Sequence, residues 1–142
     1  MPTIMIDAES SVLGRIASFA AKKAMEGEKV IIVNSEKAII SGNFDILFEH
    51  FKQKVDMRYK GDPSRGSHYS RMPDKILKQA IEGMLPHKKA KGRTALKNVR
   101  VYIGVPADLA GQKFQKIPDS EKSGKKKFFE VSRLSKQLGA EW

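Results

Sequence analysis

"VIIVNSEKAIISG" (residues 30–42) holds two apolar pieces separated by a four-residue polar step. The first piece, residues 30–33, is an unbroken β-branched run with no polar alternation, the pattern of a strand covered on both faces. Strands of that kind belong to parallel sheets flanked by helices. The step Asn34-Ser35-Glu36-Lys37 is too short for a parallel crossover. Residues 38–40 therefore follow through a tight turn or as a hairpin arm.

Upstream, residues 3–6 read as a short buried strand ending at Asp7. Ser10 and Ser11 are placed to cap a helix whose apolar positions Val12, Leu13, Ile16, Phe19, Ala20 and Ala24 recur at three- and four-residue spacing. Gly27 is placed to close that helix in a left-handed turn. Downstream, Ser41-Gly42-Asn43 opens a second helix with Phe44, Leu47, Phe48 and Phe51 on one stripe. Residues 58–72 show no period and carry four Arg or Lys against one acid, Asp62, which predicts an exposed loop of functional length. Pro73 suits the first turn of a helix with Asp74 beside it. Its buried stripe is Ile76, Leu77, Ala80, Ile81, Met84 and Leu85, and Pro86 blocks continuation. Residues 99–103 form the last strong strand, halted by Gly104 and Pro106.

Beyond it, residues 113–127 are lysine-rich and predict an irregular segment with too little apolar surface to hold itself against the core. Residues 128–138 predict a short helix with Phe129, Leu134 and Leu138 inward. This order predicts one α/β domain over residues 1–142, with helices on both faces of a small, mostly parallel sheet. Residues 107–142 form a basic C-terminal extension ending in the short helix. At 142 residues such a chain buries roughly 68–70% of its unfolded surface.

The charge is unevenly divided. The net charge is +11, yet residues 1–57 hold seven Lys or Arg against eight acids, and residues 58–142 hold twenty against eight. The whole excess sits in the second part, whereas charge kept for solubility alone is spread evenly. A concentrated cationic surface attracts polyanions, either nucleic acid or an anionic membrane. No basic segment is amphipathic with an aromatic apolar face, and no apolar run approaches the ~18–20 residues that span a bilayer. Nucleic acid is favoured. The start, MPTIMIDAESS, lacks the basic and apolar regions of a secretory signal, and zero cysteines exclude disulfides and thiol chemistry. The expectation is a cytoplasmic protein with no redox role.

Catalysis finds little support. The turn at residues 7–11 has no glycine-rich phosphate signature, and Asp7 and Glu9 would repel a phosphate there. His50 stands beside Phe48 and Phe51 as a packed or rim residue, while His68 and His87 lie among cations that disfavour protonation. Neither His68 nor His87 has an obvious carboxylate partner in local sequence to orient it, and no H-x-x-x-H pair suggests a metal. Asp7 and Glu36, at strand ends, are either a carboxylate pair or ordinary caps. No cofactor and no small-molecule substrate are expected.

The basic stretches carry the functional reading. Arg58, Lys60, Arg65 and Arg71 lie in one loop, and Lys88, Lys89, Lys91, Arg93 and Lys97 in another, joined by one helix. From Glu82 to Asp108 there is no acid between, yet there are six Lys or Arg and His87. Gly61, Gly66 and Gly92 let backbone approach a phosphodiester chain, and Tyr59, His68 and Tyr69 supply rings for unpaired bases.

At these residues the chain resembles the universal large-subunit ribosomal proteins of the L-thirteen family, in its archaeal type. The resemblance is carried by "IDAESSVLGRIAS" (6–18), "VIIVNSEKAIISG" (30–42), "RGSHYSRMP" (65–73) and, most diagnostically, "GMLPHKKAKGRTALKNVRVYIGVP" (83–106). Its start directly at the first strand also fits the archaeal branch. Ser67, Ala90 and Ser35 depart from the usual Pro, Thr and Ala, which bears on loop shape alone. The resemblance implies a three-layer α/β fold around a four-stranded parallel sheet. It also implies a non-catalytic constituent of the large ribosomal subunit that binds its RNA and neighbouring ribosomal proteins and supports assembly. It implies RNA contact at Arg65, Arg71, Lys88, Lys89, Lys91, Arg93 and Lys97, with Gly66 and Gly92 as close-approach positions. Arg15, beside Gly14 on the first helix, faces RNA, a neighbour or solvent. A free-standing RNA-binding regulator is the alternative reading, and a small nucleotide-using enzyme a weaker one.

Overall fold

In a computed structural model of the chain, residues 1–120 and 127–142 are described. Three parallel strands, β1 (Thr3–Asp7), β2 (Lys29–Val33) and β4 (Val99–Val101), form a sheet in the order β1-β2-β4. The register sets Ile4, Val30 and Val99 in one row and Ile6, Ile32 and Val101 in the next. Because side chains alternate across a strand, these six share one face. That face packs on α1 (Leu13–Met25), α3 (Pro73–Met84) and α4 (Ala90–Lys97), which bury Ile16, Ala17, Ala20, Leu77, Ile81 and Ala95 against it.

The expected four-stranded, three-layer arrangement is not what the described residues form. The chain steps in one direction from β1 to β2 to β4, and right-handed crossovers then put α1, α3 and α4 on the same side. Met5 and Ile31 on the other side are half-buried and Arg100 is exposed. The second face of the run is thus half-open at Ile31 and closed at Val33, which is fully buried.

The second apolar piece leaves the sheet. A single 3-10 turn at Ser35–Lys37 follows Asn34, whose φ of 55° turns the chain sharply. β3 (Ile39–Ser41) then pairs antiparallel with β5 (Phe128–Glu130), with Ile40 opposite Phe129. On this pair lies a second, smaller core, in which α2 (Phe44–Asp56) lays Phe44, Leu47, Phe48 and Phe51 against Phe129, Leu134 and Leu138. Phe44 meets Phe129 edge-on at 5.0 Å between ring centroids. Residues 128–138 are therefore a strand followed by α5 (Val131–Gln137), not a helix throughout.

Helix ends follow local chemistry with one exception. Gly27, at φ 93°, closes α1 through Gly27 N–H to Ala24 and Glu28 N–H to Lys23, the paired bonds of a Schellman turn. Asn43 caps α2 by accepting from the Asp45 N–H. Ser10 and Ser11 do not cap α1, which starts after an extended Val12 with no side-chain cap. Ser11 is buried instead, its hydroxyl 3.1 Å from that of Ser120.

The segment at 113–120 also differs from expectation. Gln115 pairs with β1 through Asp7 N–H to Gln115 O and Gln115 N–H to Met5 O. Ile117 enters the main core, and the buried Ser120 donates to the Ile117 carbonyl at 2.6 Å. Ile117 and the hydrogen-bonded Ser120 help seat a run that is otherwise mostly polar. The rest of the lysine-rich stretch, 121–126, lies outside the described residues.

Candidate nucleic-acid interface

α3 organises the two basic stretches. Pro73 is buried at its first turn, and Ile76, Leu77, Ile81 and Leu85 are buried, while Met84 from the expected stripe is 49% exposed. The loop at 58–72 enters one end of α3 and the 86–97 segment leaves the other, so about twelve residues of helix, roughly 18 Å, separate them. The two are held at the ends of one rigid spacer.

The second stretch is a helix where a loop was expected. Pro86 ends α3's path, His87 N–H bonds Leu85 O at 2.8 Å and Lys89 N–H bonds Pro86 O at 2.9 Å, and α4 begins at Ala90. Gly92 is the reason the turn closes. It is buried, and a Cβ there would stand 2.2 Å from the Pro86 carbonyl oxygen. Its bare backbone makes room for the Pro86 carbonyl. Gly66 has a similar task, with a Cβ meeting the Tyr59 nitrogen at 3.2 Å.

With Gly92 and Ala95 inward, α4 points its cations outward. Lys88, Lys89, Lys91, Arg93 and Lys97 are all exposed, as are His68, His87, Arg58, Lys60, Arg65 and Arg71. Only Arg65 of these has an ion pair among the described residues, to Asp62 at 3.1 Å. The first turn of α4 holds no acid. Lys89, Lys91 and Arg93 there add to the partial positive charge of the helix N-terminus, an arrangement unfavourable for the isolated helix and favourable for binding an anion.

Arg15 is exposed and donates to the Asp119 carbonyl, which ties α1 to the C-terminal segment. Its head group, like that of Arg65, already has a partner within the chain. At the other end of the chain, the buried Ser135 hydroxyl donates to the Arg71 carbonyl, so α5 fixes the backbone from which Arg71 projects.

Two cations that sequence reasoning did not single out join the site. Lys75 and Lys78 on α3 line a cavity of about 430 Å³ with His68 and Tyr69. Their three-residue spacing, opposite the buried stripe, was the available signal. Lys54 of α2 sits over the Tyr69 ring at 5.6 Å.

Strand-end acids act as caps. Asp7 Oδ1 accepts the Glu9 N–H at 3.0 Å and the Asn34 amide at 2.9 Å, and Glu36 Oε2 accepts the Gly104 N–H at 2.9 Å. Both carboxylates are occupied in holding loops, which removes the paired-carboxylate reading. No cluster of three or more metal-ligating side chains occurs among the described residues, and no helix among them is long and apolar enough to cross a membrane.

The α/β body displays exposed cations at both ends of one helix, with Asp62 the one acid in the two stretches 58–72 and 86–97. The chain belongs to the ribosomal protein L13 family, whose pattern it matches over residues 2–108. It is 45% identical over 138 residues to large ribosomal subunit protein uL13 of Saccharolobus solfataricus, covering 96% of this chain and 92% of that one. It is 40% identical over 139 residues to the uL13 protein of Methanosphaera stadtmanae, covering 97% and 98%. The uL13 protein of Archaeoglobus fulgidus is 40% identical over 138 residues, covering 95% and 86%.

Proposed function

We propose that this protein is a structural constituent of the large ribosomal subunit in the cytoplasm, with no catalytic role. It binds large-subunit ribosomal RNA through its basic surfaces and supports assembly beside neighbouring ribosomal proteins. The observation that carries the RNA-binding part is the exposed cation row of 88–97, without an ion pair among the described residues and seated by the Gly92–Pro86 contact. Unpaired like charges repel, so an array of them is retained where a polyanion neutralises it. RNA contact is assigned to Arg15, Arg58, Lys60, Arg65, Gly66, His68, Arg71, His87, Lys88, Lys89, Lys91, Gly92, Arg93 and Lys97. For Gly66 and Gly92 the contact is indirect, through the loop shape they permit.

The chain acts as a single domain over 1–142, because β5 and α5 complete the second core around β3 and α2. Sedimentation of a cell lysate on a sucrose gradient, probed for this chain, tests the assignment. Co-migration with the large subunit is expected. A chain found only in slow fractions, bound to an isolated messenger structure, would instead establish the free-standing regulator.

A further inference from the structure

A groove of about 520 Å³ opens between the end of α2 and the 58–70 loop. Its size falls within the roughly 300–1,000 Å³ of small-ligand sites. Its chemistry is specific. Arg58 and Lys60 supply positive charge, Tyr59, His68 and Tyr69 supply rings, Val55 and Met57 supply apolar floor, and no acid lines it among the described residues.

The rings are set for contact. Tyr59 is 58% and Tyr69 42% exposed. Lys54 over the Tyr69 ring at 5.6 Å fixes that side chain from one side. Gly66, where a Cβ would stand a tight 3.2 Å from the Tyr59 nitrogen, lets the loop fold closely back on Tyr59. Asp62, within the loop, is engaged by Arg65 and the Ser64 N–H, and Asp56, between Val55 and Met57, is not part of the lining.

We infer that this groove takes one unstacked nucleotide of the bound RNA, its base laid on Tyr59 or Tyr69 and its phosphate met by Arg58 or Lys60. The ligand must be both anionic and flat-faced. A duplex base has both faces covered by its neighbours, so only an unpaired nucleotide offers a free face to a ring. The site thus reads RNA conformation, whereas the α4 row reads charge. This inference rests on the RNA-binding reading above and assigns one site within it.

The test measures binding of a single-stranded ten-residue oligoadenylate and of the duplex it forms with oligouridylate, at one salt concentration. Wild type, Tyr59→Leu, Tyr69→Leu and the two Phe replacements are compared, with circular dichroism to verify folding. Each Leu replacement at a stacking ring should weaken single-strand binding about 5- to 150-fold, the equivalent of the stacking contribution per base. Duplex binding should hardly change, and Phe should retain most of the affinity.

Neither Leu variant losing affinity, or both losing it equally on duplex, would overturn the site. Free AMP binding as tightly as the oligomer would overturn its assignment to a strand. Wild-type preference for large-subunit over small-subunit RNA is measured separately. Its absence would defeat the ribosomal assignment while the oligoadenylate comparison still decides the groove.

Discussion

α1 and α4 pack against each other and share the main core, but they treat their cations in opposite ways. At the end of α1, Lys23 bonds Glu26 at 2.8 Å and Glu28 at 3.4 Å. The hydrogen bond to Glu26, then that to Glu28, raises the Lys23 pKa, and the Lys23 hydrogen bond lowers that of Glu26. Around α4, Lys88, Lys89, Lys91, Arg93 and Lys97 have no such answer among the described residues. The same side-chain type thus pairs with acids in one helix and stands without an ion pair among the described residues in the other. What separates the two is the company of acids, not the count of lysines.

Removing the support common to both helices should have the largest effect. Leu77 and Ile81 are fully buried beneath α1 and α4. Leu77→Ala or Ile81→Ala should cost about 2–5 kcal/mol in chemical denaturation, as large-to-small core changes do. Retention of full stability would mean that α3 does not carry the shared core.

The charge contrast comes next. Replacing Lys88, Lys89 and Lys91 with Gln should leave the melting temperature nearly unchanged, because exposed charges contribute little and these repel one another. The salt dependence of large-subunit RNA binding should flatten by about 2 in log–log slope, at roughly 0.7–0.9 per lost phosphate contact. Lys22→Gln with Lys23→Gln on α1 should change the slope much less. Equal flattening by both variants would erase the distinction between the helices.

Glycine offers a third comparison of opposite sign. Gly92→Ala in α4 forces a methyl onto the Pro86 carbonyl and should destabilise by about 1–3 kcal/mol or more, with weaker RNA binding although no charge is lost. Gly14→Ala in α1 meets nothing within 4 Å and should stabilise by up to about 1 kcal/mol through helix propensity. Thermal melts of the pair decide it.

The smallest effect concerns pH. A lowered Glu26 pKa contributes stability above the ordinary value of 4.5, lost as pH falls through the folded-state value. The raised Lys23 pKa contributes below 10.5 and is lost only in stronger alkali. Wild type should therefore lose slightly more of its melting temperature between pH 7 and pH 3 than Glu26→Gln does. Solvent screening keeps the difference small. A variant with the larger drop would contradict the pairing.

Sequence by itself determined the local features: the inward stripes of α1, α2 and α3, the Gly27 closure and the Asn43 cap. These depend on 3.6-residue periodicity and on groups a few residues apart, so they are written locally. It also located the acid-free surface, since ion pairing needs acids that the 83–107 stretch does not contain. α4 was missed because Gly92 and its run of cations obscured a face made only of Gly92, Ala95 and Leu96.

Only the tertiary structure decided the rest. Residues 38–40 read as following a tight turn or as a hairpin arm, but the sequence could not show that the partner of Ile39–Ser41 is Phe128–Glu130, nearly ninety positions on. Gln115 reached back to β1, and Gly92 packed closely on the Pro86 backbone. Which segments meet across such separations depends on the direction of strand crossings and on room between backbones. Neither leaves a periodic trace in the chain.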